Sequence, residues 1–351
     1  MFLRNKPVRD HSEELYIVKH APKQLLDFKG NTGVVQTLSS YIECGNIPNL
    51  IITGPHGTGK SLLTKLLVTE YMESIGAGSK SNWINKGVLE IYGSLSRGKD
   101  VVSEKQSVKN KQKNFNCANI TDFMKRATSL PKGILKIVII YEFHQMSNEA
   151  QMALRRIMEL NAHKVRFIFV TEDYGQIILA LQSRCTILKL NRLQNVEIGE
   201  IVDEISKAEN INVTSELKEL LYLNSDGDIR VAVNLLQMLG KCESDPDTGK
   251  VNSAKYYEIL GIPEIETIKE ILKACRNGDG QRAHIKVKQL MESGYDISDL
   301  LDILTKVLIT TPNFNGKNIF LRVLAKDTYT IQECYTETQL HNLINHLAVC
   351  T

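Results

Sequence analysis

The stretch Leu50-Ile-Ile-Thr-Gly-Pro-His-Gly-Thr-Gly-Lys-Ser61 predicts a short buried strand, a glycine-rich turn and the first turn of a helix. From position 54 it matches the phosphate-loop pattern Gly-x-x-x-x-Gly-Lys-Ser, in the strand-to-helix context that the pattern requires. The glycines allow the backbone to curl so that successive N–H groups point inward, and the helix start adds the positive end of its dipole. The sequence therefore predicts a site for a nucleoside triphosphate.

The pattern also assigns roles to individual side chains. Lys60 is expected to reach the β- and γ-phosphates, and the hydroxyl of Ser61 is expected to bind Mg²⁺. A glycine-rich turn without a ligand is the alternative, and the complete match between a strand and a helix argues against it. The predicted nucleotide contacts of the loop are Gly54, Pro55, His56, Gly57, Thr58, Gly59, Lys60 and Ser61.

The segments around the loop predict an α/β domain followed by helices. Apolar, β-branched runs alternate with stretches of helical spacing such as Asn148 to Leu160, which predicts a parallel sheet covered by helices. After Asn191 the strand pattern fades and helical spacing continues. We expect an α/β nucleotide-binding domain over 1–191, a small helical domain over 192–245 and a larger helical domain over 246–351.

Composition limits the class of protein. The chain has 351 residues, 42% hydrophobic and 24% charged, which is typical of a soluble globular protein of two or three domains. No apolar run is long enough to span a bilayer, and the amino terminus lacks the apolar stretch of a signal peptide. Seven scattered cysteines without a Cys-x-x-Cys pattern indicate reduced thiols in an intracellular compartment. A net charge of +3 does not by itself predict a polyanionic partner.

A second chemical feature follows the predicted third strand. The segment Tyr141-Glu142-Phe143-His144 lies where motor ATPases place an Asp-Glu pair, whose Asp holds Mg²⁺ and whose Glu polarises the attacking water. Glu142 is therefore the predicted catalytic carboxylate. The alternative is an ordinary surface carboxylate at a strand end.

Several further segments carry a resemblance to one family. The chain resembles a small subunit of replication factor C, the AAA+ sliding-clamp loader of eukaryotes, archaea and some large viruses, as a divergent member. The likeness runs in family order from about Leu15 to Leu239, and the last third matches only as a helical region. The segments that carry it are Asn46-Ile-Pro-Asn-Leu50, Arg97-Gly-Lys-Asp-Val-Val102, Glu149-Ala-Gln-Met-Ala-Leu-Arg-Arg-Ile-Met-Glu159, Gln182-Ser-Arg-Cys185 and Gly227-Asp-Ile-Arg230.

The resemblance implies an architecture and partners. The α/β domain would be an AAA+ P-loop NTPase sheet, the small helical domain its lid, and the last domain an oligomerising collar. The implied cofactors are ATP and Mg²⁺. The implied partners are other loader subunits in a heteropentamer, a ring-shaped sliding clamp and primer-template DNA, with no membrane. The implied location is the nucleus in a eukaryote, and otherwise the cytoplasm or a viral replication site.

The resemblance also implies roles for three residues. Arg184, in Ser-Arg-Cys, is similar to the arginine finger that reaches the nucleotide of the neighbouring subunit in trans. Arg230 is similar to the second sensor arginine, which the lid brings to the subunit's own γ-phosphate. Ile17 is an expected nucleotide contact. The alternatives are an ordinary surface arginine for Arg184 and a helix-surface cation for Arg230, with Asp228 nearby.

Three departures from the family pattern affect the expected chemistry. Tyr141 replaces the metal-organising Asp, Glu172 replaces the polar Asn of the first sensor, and Ala21 replaces the arginine before Pro22. A phenol cannot replace a carboxylate beside Mg²⁺, and a carboxylate facing the γ-phosphate repels it. One interpretation is a subunit that binds nucleotide, hydrolyses it poorly and mainly provides Arg184 to its neighbour. The other is that Glu172 compensates for Tyr141 from the adjacent strand. The first is favoured.

The resemblance implies that basic residues after the second strand contact DNA. The predicted contacts are Arg97, Lys99, Lys105 and Lys109, and the spacing of Lys105, Lys109 and Lys113 places three ammonium groups on one helix face. A solvated lysine face is the alternative from charge pattern alone. The resemblance favours binding that tracks duplex phosphates, independent of sequence and strongly dependent on salt.

The leading hypothesis is a subunit of an ATP-dependent clamp loader, with its own hydrolysis impaired. A nucleotide-binding, non-hydrolysing structural or regulatory subunit of a replication or repair complex is the alternative. A stand-alone phosphoryl transferase is a third hypothesis, and the chain lacks a second substrate-binding pattern to support it.

Overall fold

The computed structural model describes residues 14–74, 87–94, 120–125, 135–240, 257, 261–311, 314, 316–333 and 337–349. The chain divides into two compact units. The first comprises Met1–Ile211 with Asn224–Met238, and the second comprises Asn212–Leu223 with Leu239–Thr351. The three domain ranges expected from the sequence stay predictions.

The first unit contains a sheet of five parallel strands in the order β2-β3-β4-β1-β5. Every residue of β1 and β3 is buried, which explains their continuous apolar character. The predicted parallel sheet is confirmed. The strands are β1 (Leu50–Thr53), β2 (Val88–Tyr92), β3 (Lys136–Tyr141), β4 (Val165–Thr171) and β5 (Thr186–Lys189).

Helices pack on both faces of this sheet. On one face Leu38, Leu67 and Ile139 belong to one buried core, and on the other Leu154 and Phe169 belong to a second. Ser147 accepts a hydrogen bond from the backbone N–H of Ala150 and so caps the start of α5. The helices that precede β5 are α1 (Tyr16–Lys19), α2 (Thr32–Glu43), α3 (Lys60–Ser74), α4 (Ile120–Lys125), α5 (Asn148–Leu160) and α6 (Leu179–Gln182). Short 3₁₀ turns cover Leu25–Asp27, Phe143–Gln145 and Tyr174–Gln176.

Three helices follow the sheet. They are α7 (Asn195–Glu209), α8 (Ser215–Ser225) and α9 (Ile229–Gly240). Helix α7 begins with a capping box in which Gln194 and Glu197 each accept from the other's backbone N–H. Together with the sheet and its covering helices, these elements give the AAA+ P-loop architecture expected from the sequence.

The second unit is all-helical in its described part. Its core contains Leu272, Leu304, Phe320 and Leu343, each of which is nearly inaccessible to solvent. Its remaining helices are α10 (Ile265–Arg276), α11 (Gly280–Glu292), α12 (Ile297–Thr310), α13 (Lys317–Glu333) and α14 (Glu337–Val349). In the part of the chain that the structure describes, no helix combines the length and the apolar composition that crossing a membrane requires.

Candidate nucleotide site

The loop between β1 and α3 has the backbone that the glycine pattern predicts. Gly57 and Gly59 have φ angles of +73° and +85°, in the left-handed region that glycine adopts most readily. A Cβ at Gly57 would lie 1.9 Å from Cγ of Asp228, and a Cβ at Gly54 would lie 2.4 Å from the carbonyl oxygen of Leu190. A side chain at either position would collide with these neighbours. The glycines at 54 and 57 are therefore required for this loop to pack as it does.

Lys60 lies inside this curl, at the first turn of α3. Its side chain is buried, and its Nζ donates to the carbonyl oxygens of Gly54 at 2.7 Å and Pro55 at 2.6 Å. Burial lowers the pKa of Lys60, the charges of Glu172 and Asp228 oppose that shift, and Arg230 adds to it. The structure therefore brings the predicted phosphate-binding lysine together with three charged groups from other elements.

The remaining loop side chains differ in exposure. Thr58 is buried and its Oγ1 donates to the carbonyl oxygen of Pro55 at 2.9 Å, which holds the turn closed. His56 and Ser61 are exposed. The described residues contain no group of three or more His, Cys, Asp or Glu side chains able to hold a metal ion. Ser61 stays the predicted Mg²⁺ ligand of the loop.

Arg230, at the start of α9, is tied to the carboxylate of Asp228. Its Nη2 lies 2.9 Å from Oδ2 and its Nε lies 3.2 Å from Oδ1, while its backbone N–H donates to Oδ1 at 2.8 Å. Burial alone would raise the pKa of Asp228, but the hydrogen bonds from Arg230 hold it below its ordinary value. Because Asp228 also packs against Gly57, this pair connects α9 to the phosphate loop.

Glu172 directly follows β4 and is exposed. The hydroxyl of Thr53, at the end of β1, donates to the Glu172 carbonyl oxygen at 3.2 Å. The Glu172 charge acts on Lys60 and on Arg230, raising the pKa of each. Strands β3 and β4 are neighbours in the sheet, as the compensation hypothesis requires.

Tyr141, the last residue of β3, is 3% exposed and stacks on Tyr92 with ring centroids 5.1 Å apart. Burial, followed by the charges of Glu90 and Tyr92, raises the pKa of its phenol. Its hydroxyl has no hydrogen-bond partner among the described residues. The side chain is therefore a neutral packing group where the family places a carboxylate. Glu142 is exposed and has a φ angle of +51°.

A cavity of about 240 Å³ lies beside the loop. Thr58, Gly59 and Leu62 form its loop side, and the amino-terminal segment over 16–22, called the strap below, forms another wall. Ile17 is on that wall, as are Ala21 and Pro22. The other lining residues are Tyr16, His20, Asp27, Phe28, Lys29, Leu193, Ile201, Glu204, Ile205, Ile229 and Val233. This mostly apolar wall suits the flat faces of a nucleotide base.

Arg184 lies away from this site. It precedes β5 at the amino end of the sheet, whereas the phosphate loop follows β1 at the carboxyl end. The four residue pairs of β1 and β5 lie between these two ends of the sheet and span about 13 Å, at roughly 3.3 Å per residue. The exposed guanidinium lies 2.8 Å from Glu159 and donates to the carbonyl oxygen of Ala180 at 2.7 Å. It does not reach the chain's own loop.

Other residues of the site were missed or cannot be placed. The DNA contacts predicted at Arg97, Lys99, Lys105 and Lys109 lie outside the described residues. The contact of Asp228 with the phosphate loop was not predicted, since the sequence shows Asp228 only as a neighbour of Arg230. The adjoining Gly227 was the one sequence feature that indicated a turn at this position. No sequence signal connected the strap to distant helical residues.

Two family models and several known proteins match this chain. Residues 30–194 match the family described as DNA polymerase III, delta subunit, and residues 263–345 match the replication factor C C-terminal domain. The replication factor C small subunit of Picrophilus torridus is 33% identical over 75% of this chain and 74% of the relative. Replication factor C subunit 4 of Encephalitozoon cuniculi is 30% identical over 82% of this chain and 84% of the relative.

Among solved structures, the RuvB Holliday junction branch migration motor of Thermotoga maritima aligns with a TM-score of 0.52 at 20% identity. The alignment covers 72% of this chain and 78% of that chain. At this level of identity the likeness supports the AAA+ fold alone.

Proposed function

The chain belongs to the replication factor C small-subunit family, and from that premise we propose that it is a nucleotide-binding subunit of an ATP-dependent clamp loader. Such a machine would open a ring-shaped sliding clamp and place it on primer-template DNA during replication. The phosphate loop with Lys60 inside its curl, bordered by Arg230 and the base cavity, is the observation that carries the proposal.

ATP and Mg²⁺ are the proposed cofactors. The backbone amides of 54–59 and Lys60 would hold the phosphates, Ser61 would bind the metal, and Arg230 would approach the γ-phosphate from α9. Lys60 would exchange its bonds to two loop carbonyls for bonds to phosphate oxygens. Bound Mg²⁺ would neutralise charge on the phosphate oxygens.

We propose that this subunit's own hydrolysis is impaired. Tyr141 is buried against Tyr92, so a metal-organising carboxylate is missing from the end of β3. Glu142 is exposed at the same strand end and would position water there. In this scheme the chain binds ATP and turns it over slowly.

We further propose that Arg184 acts in trans, within a heteropentamer of loader subunits. Two observations support this role: Arg184 is at the end of the sheet opposite its own phosphate loop, and its guanidinium is exposed. Glu159 and the Ala180 carbonyl would hold the Arg184 guanidinium in place for a neighbour's nucleotide. DNA would be bound through Arg97, Lys99, Lys105 and Lys109, without sequence preference.

The decisive experiment is co-purification of the tagged full chain, followed by mass measurement with and without ATP and primer-template DNA. We expect a complex of several subunits whose retention on clamp and primed DNA requires ATP. A Lys60→Ala chain should assemble but lose its own nucleotide. A chain that stays monomeric and hydrolyses ATP alone would contradict the proposal.

A non-hydrolysing structural or regulatory subunit of a replication or repair complex is the second candidate, and Tyr141 favours it. Single-turnover hydrolysis at this site, measured beside a neighbour that donates its own arginine, separates the two candidates. A site that binds ATP and never cleaves it would identify the structural role.

A further inference from the structure

We propose that His20 makes the base cavity selective for adenine, by presenting one ring nitrogen as a fixed hydrogen-bond acceptor. This inference rests on the proposed function and adds a specificity-determining residue to it.

Glu209, the last residue of α7, fastens the strap. Its Oε1 lies 2.6 Å from Nε2 of His20 and 2.7 Å from Nζ of Lys19. The backbone N–H of Tyr16 donates to Oε1 of Gln237, in α9, at 3.1 Å. The Tyr16 side chain is also hydrogen-bonded to Glu209, so contacts from Tyr16, Lys19 and His20 to two helices hold this short segment as one wall of the cavity.

The contact with Glu209 fixes the tautomer of His20. Hydrogen bonds from Lys19 and His20 lower the pKa of Glu209, so its carboxylate is ionised at neutral pH and can only accept. Nε2 must then carry the proton. In neutral imidazole the other nitrogen, Nδ1, is an acceptor. Tyr16 packs edge-on against the ring, at 5.9 Å between centroids and 86° between planes, which restrains its rotation.

The other polar groups of the cavity wall are engaged or solvated. Lys29 is paired with Glu204 at 2.9 Å, and the Thr58 hydroxyl donates within the loop. Asp27 is exposed. His20 lines the cavity, and among the described residues no hydrogen-bond partner lies on its Nδ1. We therefore assign Nδ1 to the base as its hydrogen-bond acceptor.

Adenine and guanine differ in what they offer to such an acceptor. Adenine carries a 6-amino donor, and guanine carries a 6-carbonyl acceptor at the same position. An acceptor facing the amino group gains a hydrogen bond, whereas an acceptor facing the carbonyl leaves both groups unpaired. Purine riboside triphosphate, which lacks the 6-amino group, isolates this single contact.

The experiment measures equilibrium binding of Mg²⁺ complexes of ATP, purine riboside 5′-triphosphate and GTP to the full chain in its assembled complex. We expect ATP to bind about 5- to 10-fold more tightly than purine riboside triphosphate, and more than about 10-fold more tightly than GTP. In His20→Phe, which keeps a ring of similar size, the first ratio should fall to within about twofold. In Glu209→Gln the tautomer of His20 is no longer fixed. The ratio of ATP to purine riboside triphosphate affinities should then lie between the values of the unmodified chain and of His20→Phe.

Two further variants and a fold check complete the design. Lys19→Ala removes another strap contact of Glu209 and should leave the ratio of ATP to purine riboside triphosphate affinities unchanged. Asp27 also lines the cavity and could accept a hydrogen bond from the 6-amino group in place of His20. Asp27→Asn tests that alternative. Circular dichroism and thermal melting verify that each variant folds.

The outcomes separate the inference from the function on which it rests. Equal binding of ATP and purine riboside triphosphate by the unmodified chain, or loss of the ratio in Asp27→Asn instead of His20→Phe, would overturn the role of His20 and leave the proposed function intact. Failure of all three triphosphates to bind would overturn the proposed function, and the inference with it.

Discussion

The two sides of the candidate nucleotide site differ in how well they keep the chemistry expected of them. On the loop side, Gly57 and Gly59 have the backbone that the phosphate-loop pattern predicts, and Lys60 is buried inside the curl. On the strand-end side, β3 ends in a buried phenol and β4 is followed by an exposed carboxylate, Glu172. Holding phosphate and activating water are therefore separable in this chain.

The electrostatics of the two sides lead to the same distinction. Lys60 and Arg230 contribute two positive charges near the loop, and Glu172 and Asp228 contribute two negative ones. The side chains thus give the site no net charge, and backbone amides with Mg²⁺ must supply the remaining attraction for phosphate. Selection for tight phosphate binding alone would have left an uncharged residue at 172.

The largest expected effect tests whether the chain's main catalytic contribution goes to its neighbour. In Arg184→Ala, hydrolysis by the adjoining subunit should fall by about 10³-fold, because a guanidinium no longer offsets transition-state charge. Nucleotide binding by the variant chain itself should not change. Arg184→Lys keeps the positive charge without the planar guanidinium, so it should retain only part of the neighbour's hydrolysis rate. Single-turnover ATPase of the assembled complex measures both, and loss of the chain's own binding would contradict the trans role.

The next effect tests the loop side directly. Lys60→Ala should weaken binding of an ATP analogue by about 100-fold, since it removes a charge-assisted contact to two phosphates. Lys65→Ala, an exposed lysine on the same helix, is the matched control and should bind normally. Titration calorimetry distinguishes the two. Equal affinities would show that the loop does not grip phosphate.

The third effect tests the strand-end side. Glu172→Gln should tighten triphosphate binding about three- to tenfold, because it removes a negative charge that acts on Lys60 and Arg230. If Glu172 instead compensates for Tyr141 by organising Mg²⁺, the same change should weaken binding in Mg²⁺ and have little effect in EDTA. Titrations in both conditions therefore decide between the two interpretations of this pair.

Most of the fold could be predicted from the sequence because its signals are local. Continuous apolar runs such as β1 and β3 gave the buried parallel strands, and the glycine spacing gave the loop. The order of the five strands was not predicted, because pairing between distant strands leaves no periodic signal in a single sequence. The family resemblance implied only that the strands before residues 141 and 172 lie side by side, as β3 and β4 do.

The contacts that complete the site were not predictable in the same way. Glu209 reaches His20 across 189 positions, and Asp228 packs against Gly57 from the turn before α9. Both carboxylates have the local appearance of helix-end surface charges. Their roles depend on how α7 and α9 pack beside the loop, and hydrophobic spacing does not specify which polar residues then meet.

A smaller effect concerns the link between α9 and the loop. The pKa of Asp228 is lowered in the fold, so its charged form stabilises the protein above the ordinary aspartate pKa of about 3.9. This contribution is lost as the pH falls through the lower, folded-state pKa. Asp228→Asn should therefore reduce the free energy of unfolding by about 1 kcal/mol at pH 7 and have less effect below about pH 3. Urea unfolding at both pH values checks this, and a pH-independent difference would contradict it.

The smallest effect is expected for Tyr141→Phe, and its comparison with Tyr141→Asp tests why the strand-end side differs. Its buried hydroxyl has no described partner, so Tyr141→Phe should leave stability unchanged or raise it by up to about 1 kcal/mol. Tyr141→Asp, which restores the family carboxylate, places a charge in the packed space beside Tyr92 and should cost about 2–4 kcal/mol. Chemical denaturation measures both changes. Destabilisation by Tyr141→Phe would show that the hydroxyl has a partner. A tolerated aspartate with faster hydrolysis would show that packing around β3 does not oppose the metal-organising residue.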